Sequence, residues 1–233
     1  SAVAEAFGWR AAWFVAGGAA FSAAVGVMVG VPGSVRGTRA SLGAMLQVLS
    51  NRASGLTIAT TALLICGGFL TYSMIAFWFV EVGRAPRTAL TGALLISGIA
   101  SMLGNAFSSH VVRLFGREGT VLAGLGFTAV CFAVLWLVPQ WHLLSYPAFV
   151  CFGVGWSLCL APLQARLVET AGPQAQLALA LNASAFFGGQ GLGAAGGGLI
   201  YGAFGPAALP LASLVVLVLT TGMFAASRRA GSG

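Results

Sequence analysis

The stretch FFGGQGLGAAGGGLIYG, residues 186–202, decides which class of protein this chain belongs to. It contains GLGAAG, residues 191–196, a literal match to the GxGxxG fingerprint with which dinucleotide-binding proteins hold a pyrophosphate. That fingerprint must follow a strand and open a helix at a water-exposed N-terminus, whereas apolar residues flank it here on both sides. We therefore predict that these glycines bind no nucleotide, and no cofactor is expected.

The small residues of this stretch recur with the period of a helix. Four of them are spaced four apart, and three more form a neighbouring stripe: Ala185, Gly189, Gly193 and Gly197, then Ala194, Gly198 and Gly202. Small residues at this spacing let two helix backbones approach closely in lipid, where association depends on packing. The stretch therefore predicts a membrane helix that packs through its glycines.

The composition agrees with a membrane environment. Of the 233 residues, 58% are hydrophobic and 6% are charged, whereas a soluble domain carries about 25% charged residues. The net charge of +7 comes from eleven arginines, with no lysine and no aspartate. These arginines stand between apolar runs instead of clustering on one face, which argues against a nucleic-acid partner. Membrane lipid is the expected surrounding of the chain.

A bilayer core about 30 Å thick requires about 20 apolar residues in a helix. We predict seven such helices, separated by loops that contain Pro, Gly or Arg. They run from Ala11 to Val31, Thr57 to Val80, Thr88 to Ser109, Thr120 to Val138, Leu143 to Leu163, Leu177 to Phe204 and Ala207 to Ala226. The predicted fold class is therefore all-α, a polytopic membrane protein.

The arginines also predict how these helices are oriented. One side of the membrane carries Arg36, Arg39, Arg52, Arg113, Arg117, Arg166, Arg228 and Arg229, and the other carries Arg10, Arg84 and Arg87. Since arginines accumulate in cytoplasmic loops, we expect the C-terminus in the cytoplasm and the N-terminal end outside. The longest loop, residues 32–56, is then cytoplasmic and is interpreted as a linker between two helical bundles.

The third and sixth predicted helices share a weak internal similarity. A shift of 89 residues places Leu103–Gly104 on Leu192–Gly193 and Phe115–Gly116 on Phe204–Gly205. The two helices would cross the membrane in opposite directions, which is typical of the inverted three-helix repeats of secondary transporters.

Four segments of the chain carry recognisable motifs. They are GGFLTYSMIAFWFVEVG, residues 67–83; GNAFSSHVVRLFGRE, residues 104–118; residues 161–200; and AEAFGWRAAWFV, residues 4–15. Together they resemble the major facilitator superfamily, specifically its drug:proton antiporter branch, which includes arabinose-efflux-like permeases. The first segment is similar to the seventh helix of that branch, and the second resembles the motif GNxxGGxLaDRxGR, which joins the eighth and ninth helices. The third is similar to the end of the tenth helix and the eleventh, and the fourth to the entry into the sixth.

The resemblance implies helices six to twelve of a twelve-helix transporter. Residues 1–31 would be the last helix of the N-terminal bundle, residues 32–56 the linker, and residues 57–233 the C-terminal six-helix bundle. The implied function is secondary active transport in the inner (plasma) membrane, as proton-coupled efflux of a small molecule or drug by alternating access. The chain would be a fragment, with the missing N-terminal bundle, a small-molecule substrate and H⁺ as its partners.

The sequence departs from the family pattern at two places. Arg113 replaces the Asp of the loop motif and Ser108–Ser109 replace its Gly-Gly, so any ion pair of that Asp is absent. Phe77 stands where a Pro often follows Ala in the seventh helix, so the usual cause of a bend is missing there. In addition, none of the four acids lies in mid-membrane, and the coupling acid is expected in the missing part.

Four residues are candidates for the wall of a substrate cavity: Thr71, Tyr72, Trp156 and Gln190. The first three lie on the two helices that, as the resemblance implies, line the central cavity. Tyr72 and Trp156 also fit the role of packing or interfacial aromatic residues. Gln190 is the one strongly polar residue inside its helix, and it would contact substrate or bond to a neighbouring helix.

A second set of residues is predicted to form an inner gate. The loop motif supplies Gly104, Asn105, Arg113, Gly116 and Arg117, and Gln164, Arg166 and Asn182 lie near the cytoplasmic helix ends. We expect these residues to cap or latch helices across the gate.

Two other classes of protein share parts of the pattern. A seven-helix receptor has the same topology, but the predicted external loops are short, and without lysine there is no retinal Schiff base. An intramembrane hydrolase would need Ser157 beside a histidine. His110 and His142 are instead predicted on opposite faces of the membrane, which also makes them a poor metal pair. Neither a catalytic nor a metal site is predicted.

Overall fold

The structure, a computed structural model, describes residues 8–30 and 41–231. Within these ranges the regular structure is helical throughout, and the all-α membrane fold predicted from hydropathy is confirmed. The chain divides into two compact units, Ser1–Ala40 and Ser41–Gly233. Helix α1 (Trp9–Gly30) belongs to the first unit. Predicted positions at Val31, Arg36 and Arg39 lie outside the described residues.

The second unit is a bundle of helices joined by short turns. Its helices are α2 (Leu42–Ser50), α3 (Arg52–Tyr72), α4 (Ile75–Phe77), α5 (Arg87–Leu137), α6 (Ser145–Ala171), α7 (Ala175–Phe204) and α8 (Leu209–Gly231). A π-helical turn, Trp78–Val82, continues α4, and 3₁₀ turns occupy His142–Leu144, Gly172–Gln174 and Pro206–Ala208.

Four helical stretches of the described residues are long and apolar enough to cross a membrane. They span Arg52–Val82, Thr88–Leu137, Ser145–Phe204 and Pro206–Ala230. The second and third contain 50 and 60 residues, far more than the roughly 20 that one crossing needs. The second and third stretches are each interrupted once and can each cross the membrane twice. The four stretches therefore accommodate the six crossings predicted between Thr57 and Ala226.

Glycines with positive φ make these two interruptions. Gly116 divides α5 with φ 70° and ψ 169°, and Gly172 ends α6 with φ 52°. A side chain with a Cβ rarely adopts this region, so glycine is the residue that lets the chain turn back here. We call the two parts of α5 α5a (residues 87–115) and α5b (residues 117–137).

The predicted linker is helical in its second half. Ser41 caps α2, its Oγ accepting a hydrogen bond from the Ala44 N–H at 3.1 Å. Asn51 caps α3 in the same way, its Oδ1 accepting from the N–H groups of Ala53 and Ser54. Helix α3 therefore begins at Arg52, five residues before the predicted start. The division into bundles and linker stays a prediction.

The helix is interrupted after α3 although no proline is present there. Helical geometry ends at Tyr72 and resumes at Ile75, after Met74 with φ −107° and ψ 13°. The following turn is π-helical, and the buried Oγ of Ser73 has no hydrogen-bond partner among the described residues. π-helical turns and breaks in the hydrogen-bond ladder are recognised causes of kinks. The interruption therefore lies in the backbone hydrogen bonding.

Candidate functional site

One cavity lies inside the second unit, between α3, α5a, α6 and α7. Its volume is about 380 Å³, within the range of about 300–1,000 Å³ that is usual for small-molecule sites. The lining residues are Phe69, Tyr72, Ser97, Gly98, Ser101, Phe152, Gly153, Trp156, Phe186 and Gln190. We call this space the aromatic cavity, because half of its lining residues are aromatic.

The rings of the aromatic cavity touch one another in a continuous series. Tyr72 stacks on Phe152 with centroids 5.6 Å apart and an interplanar angle of 11°. Trp156 lies 5.4 Å from Phe152 and 6.1 Å from Phe69, and Phe186 meets Trp156 edge-on at 6.5 Å. Contacts of this kind stabilise ring pairs by about 0.5–1.5 kcal/mol each beyond their buried area. The rings thus hold one another in place.

Glycines on two helices make room for this wall. A Cβ added at Gly68 would lie 2.5 Å from Cζ3 of Trp156, so the indole ring occupies the space a side chain would need. On α6, a Cβ at Gly153 would collide with the Ser97 carbonyl and lie 3.0 Å from the Ser101 nitrogen. The α5a and α6 backbones are therefore in direct contact beside the cavity.

The polar groups of the cavity are few and mostly unpaired. Ser97 donates its hydroxyl hydrogen bond to the Leu94 carbonyl at 2.8 Å. The side chains of Tyr72, Ser101 and Gln190 have no hydrogen-bond partner among the described residues. Among the described residues, no Asp, Glu, Arg or His lines the cavity. The cavity therefore offers hydrogen-bonding groups and ring faces without a formal charge.

Three of the four predicted cavity residues meet here, and the fourth lies elsewhere. Tyr72, Trp156 and Gln190 line the aromatic cavity. Thr71 is fully buried on another side of α3, where its hydroxyl shares a 2.7 Å hydrogen bond with the hydroxyl of Ser213. This contact ties α3 to α8, so Thr71 serves packing. Adjacent residues on a helix point about 100° apart, and the sequence did not show which one faced the cavity.

A network of arginines and glutamates joins helix ends at one end of the bundle, which we call the charged end. Glu118 on α5b accepts from Arg228 on α8 at 2.5 Å and from Arg166 on α6 at 3.4 Å. Arg166 also donates to the Ser227 carbonyl at 2.7 Å, and Arg117 pairs with Glu169. Four helix ends are linked in this way, because the Ser227 hydroxyl also bonds to Thr57 on α3 at 3.0 Å.

Neither glutamate of this network was predicted from the sequence. Arg117 and Arg166 were expected at the gate, whereas Glu118 and Glu169 had no predicted role. The available signal was their rarity, since the chain has only four acids and these two lie in loops predicted on the arginine-rich side. Glu118 directly follows the loop motif. It supplies a carboxylate, whereas the motif in this chain has Arg113 in place of its Asp.

The other predicted gate residues do not join the network. Gly104 is a packing residue, because a Cβ there would collide with Ser157 and lie 3.2 Å from the Cα of Val154. The side chain of Arg113 contacts His110 on its own helix at 3.3 Å. Asn105 and Gln164 are exposed, Gly116 makes the turn described above, and Asn182 is buried with its Oδ1 unpaired among the described residues.

The glycine stripe of α7 lies against α3. A Cβ at Gly189 would be 2.5 Å from the Ala62 carbonyl oxygen, and one at Gly193 would be 2.5 Å from that of Cys66. At Gly197 it would meet the Leu70 carbonyl, whereas at Gly198 its nearest neighbour is Met74 at 3.8 Å. Gly202 has no atom within 4 Å of that position, so this last member of the predicted set has no close neighbour.

The described residues contain no group of three His, Cys, Asp or Glu side chains placed to hold a metal ion. Ser157, the residue considered for a hydrolase, donates its hydroxyl to the Val154 carbonyl at 2.9 Å. This hydrogen bond lies within α6 and joins two residues three positions apart in that helix.

Comparisons with known proteins identify the family. The sequence model of the family described as the Major Facilitator Superfamily matches residues 1–176. Over 202 residues the chain is 24% identical to the "Inner membrane transport protein YdhP" of Escherichia coli K12, covering 85% of this chain and 51% of that protein. The protein of the same name from E. coli O157:H7 matches to the same extent. No solved structure matches the chain.

The chain belongs to the Major Facilitator Superfamily, a family of membrane transporters and not of enzymes. The receptor and hydrolase alternatives are therefore not retained. The chain spans about half the length of the curated relatives it matches.

Proposed function

We propose that the complete protein is a secondary active transporter in which this chain supplies one wall of the central substrate site. The observation that carries the proposal is the aromatic cavity, in which Tyr72, Ser101 and Gln190 hold unpaired polar groups inside a membrane bundle. Polar groups are costly in lipid and mark cavities or transport pathways there. In alternating access, such a site opens to each side of the membrane in turn.

The finer proposal is proton-coupled export of a small molecule or drug from the cell. It is supported by the resemblance to the drug:proton antiporter branch. No acid lines the aromatic cavity in the described residues, so the coupling carboxylate belongs, in this proposal, to an N-terminal bundle outside this chain. Residues 57–233 would then be the C-terminal bundle, residues 1–31 the last helix of its partner bundle and residues 32–56 the linker.

We further propose that the protein lies in the inner membrane with the charged end facing the cytoplasm. The arginine distribution supports this orientation, and the relatives are named as inner membrane proteins. The network of Glu118, Arg166 and Arg228 would then latch helix ends at the inner gate.

A labelling experiment tests alternating access without knowledge of the substrate. The complete protein, with its native cysteines replaced, carries Gln190→Cys and is placed in right-side-out and inside-out vesicles. We expect a membrane-impermeant maleimide to label this position from both sides. Gly191→Cys is the matched control. Gly191 is exposed on the same membrane helix but lies outside the cavity lining. We expect this position to face lipid, out of reach of the reagent, and to remain unlabelled. Labelling of Gln190→Cys from one side only would contradict a carrier and indicate a site with a single opening.

A further inference from the structure

We infer that the aromatic cavity binds an uncharged, planar aromatic group that carries an amide-like hydrogen-bonding function. The inference rests on the proposed function and adds the chemical class of the cargo where it meets this wall. It depends on three properties of the cavity: its ring faces, its unpaired polar groups and its lack of charge.

The ring faces favour a flat aromatic group. Phe152 is buried behind the other rings of the lining, whereas Phe69, Tyr72, Trp156 and Phe186 are half-buried. A flat ring can stack on or meet such faces edge-on, as the rings already do with each other. A saturated ring of similar size would bury apolar area but would lose this geometry.

The unpaired polar groups favour a hydrogen-bonding cargo. The Gln190 side chain both donates and accepts, and Tyr72 and Ser101 each offer a hydroxyl. None of the three has a partner among the described residues. A cargo that pairs with these groups gains hydrogen bonds that the described residues do not supply. An amide on the cargo matches them, because it too both donates and accepts.

The absence of charge disfavours ionised groups at this wall. Within the described part of the lining an anion would have no arginine or histidine to pair with, and the faces of aromatic rings carry negative potential. A cation would gain ring contacts, but the described lining has no carboxylate to offset its loss of water. A neutral group incurs neither of these two costs.

Four matched compounds separate these properties. 2-Naphthamide is neutral, aromatic and carries an amide, whereas 2-naphthoate is its anionic counterpart. (2-Naphthylmethyl)trimethylammonium supplies a cation on the same ring system, and decahydro-2-naphthamide keeps the amide on a saturated one. Equilibrium binding of tritiated 2-naphthamide to the complete purified protein is measured, with the other three compounds as competitors. We expect 2-naphthamide to bind at least tenfold more tightly than each competitor.

Variants show whether this binding occurs at the aromatic cavity. Trp156→Leu and Gln190→Leu should each weaken 2-naphthamide binding about tenfold, because one loses a ring contact and the other a hydrogen bond. Phe186→Leu and Phe187→Leu form a matched pair on α7: Phe186 lines the cavity, whereas Phe187 is 69% exposed and does not. Only Phe186→Leu should weaken binding. Elution as a single monodisperse species verifies that each variant is folded.

Three results would overturn the inference. They are equal or tighter binding of a charged or saturated competitor, binding unaffected by all three cavity variants, and no binding of 2-naphthamide. The last result would mean that side chains from the remainder of the protein fill the cavity or that its cargo is of another class. The proposed transport function fails separately, through one-sided labelling of Gln190→Cys, so the two conclusions can be distinguished.

Discussion

The indole ring of Trp156 occupies the space that a side chain at Gly68 would need. A Cβ added at Gly68 would stand 2.5 Å from Cζ3 of that ring, well inside the ordinary van der Waals distance of about 3.5–4.0 Å between carbons. Because Gly68 on α3 has no side chain, the ring of Trp156 on α6 can pack against this part of the helix. The shape of the aromatic cavity depends on this pair.

Gly68→Ala should displace Trp156 and deform the cavity. We expect the affinity for 2-naphthamide to fall about tenfold, with a loss of unfolding free energy of about 1–3 kcal/mol from overpacking. Equilibrium binding and thermal unfolding of the complete protein measure the two effects. Gly191→Ala is the control, because a Cβ there has no neighbour within 4 Å. Unchanged affinity in Gly68→Ala would show that Trp156 does not depend on this glycine.

Thr71→Val should affect stability and leave ligand binding unchanged. The substitution removes the hydroxyl that pairs with Ser213 at 2.7 Å and leaves the buried Ser213 hydroxyl unpaired, at a cost of about 1–2 kcal/mol. Thr71→Val combined with Ser213→Ala should recover part of this loss, since both partners are then gone. A fall in 2-naphthamide binding in Thr71→Val would instead assign Thr71 to the cavity.

Glu118 and Arg228 should be coupled in a double-mutant cycle. Their side chains are 41% and 43% exposed, so solvent screening limits the coupling to about 0.2–1 kcal/mol. We expect Glu118→Gln and Arg228→Gln to destabilise the protein less in combination than the sum of the single effects. Thermal unfolding at low and high salt measures this, and the coupling should shrink at high salt. Strict additivity at low salt would contradict the ion pair.

Gly193→Ala should weaken the packing of α7 on α3. Its Cβ would lie 2.5 Å from the Cys66 carbonyl oxygen and 2.8 Å from the Cβ of Phe69, so one helix must move. We expect a loss of about 1–3 kcal/mol in unfolding free energy. Gly191→Ala on the same helix should be neutral or slightly stabilising, because alanine favours a helix. Equal thermal stability of the two variants would refute the glycine contact.

Gly116→Ala should destabilise the turn between α5a and α5b. The backbone there has φ 70° and ψ 169°, a region essentially restricted to glycine, so alanine costs about 1–3 kcal/mol. Gly126→Ala is the control, since Gly126 is helical and a Cβ there meets no atom within 4 Å. Thermal unfolding of both variants measures the difference. A stable Gly116→Ala protein would mean that the turn tolerates another conformation.

Prediction from sequence succeeded where the signal was summed over many residues. Hydropathy over about 20 residues located the membrane helices, and the spacing of Gly189, Gly193 and Gly197 anticipated the surface that lies against α3. It failed where a single side chain had to be assigned to one face of its helix. Thr71 and Tyr72 are equally plausible cavity residues in a sequence, and only packing determines which of them faces Phe152.

The residues alone are enough to predict a helical membrane protein, because a lipid interior demands long apolar segments whose backbone groups bond internally. The sequence also placed breaks between crossings in residues 110–119 and 164–176, the segments in which the structure has the positive-φ glycines Gly116 and Gly172. Tertiary structure alone decided the rotation of each helix about its axis and the partners at its ends. It placed Trp156 against Gly68, paired Thr71 with Ser213, and brought Glu118 between Arg166 and Arg228. These contacts join residues up to 142 positions apart, and their geometry depends on how closely whole helices pack, which local sequence patterns do not encode.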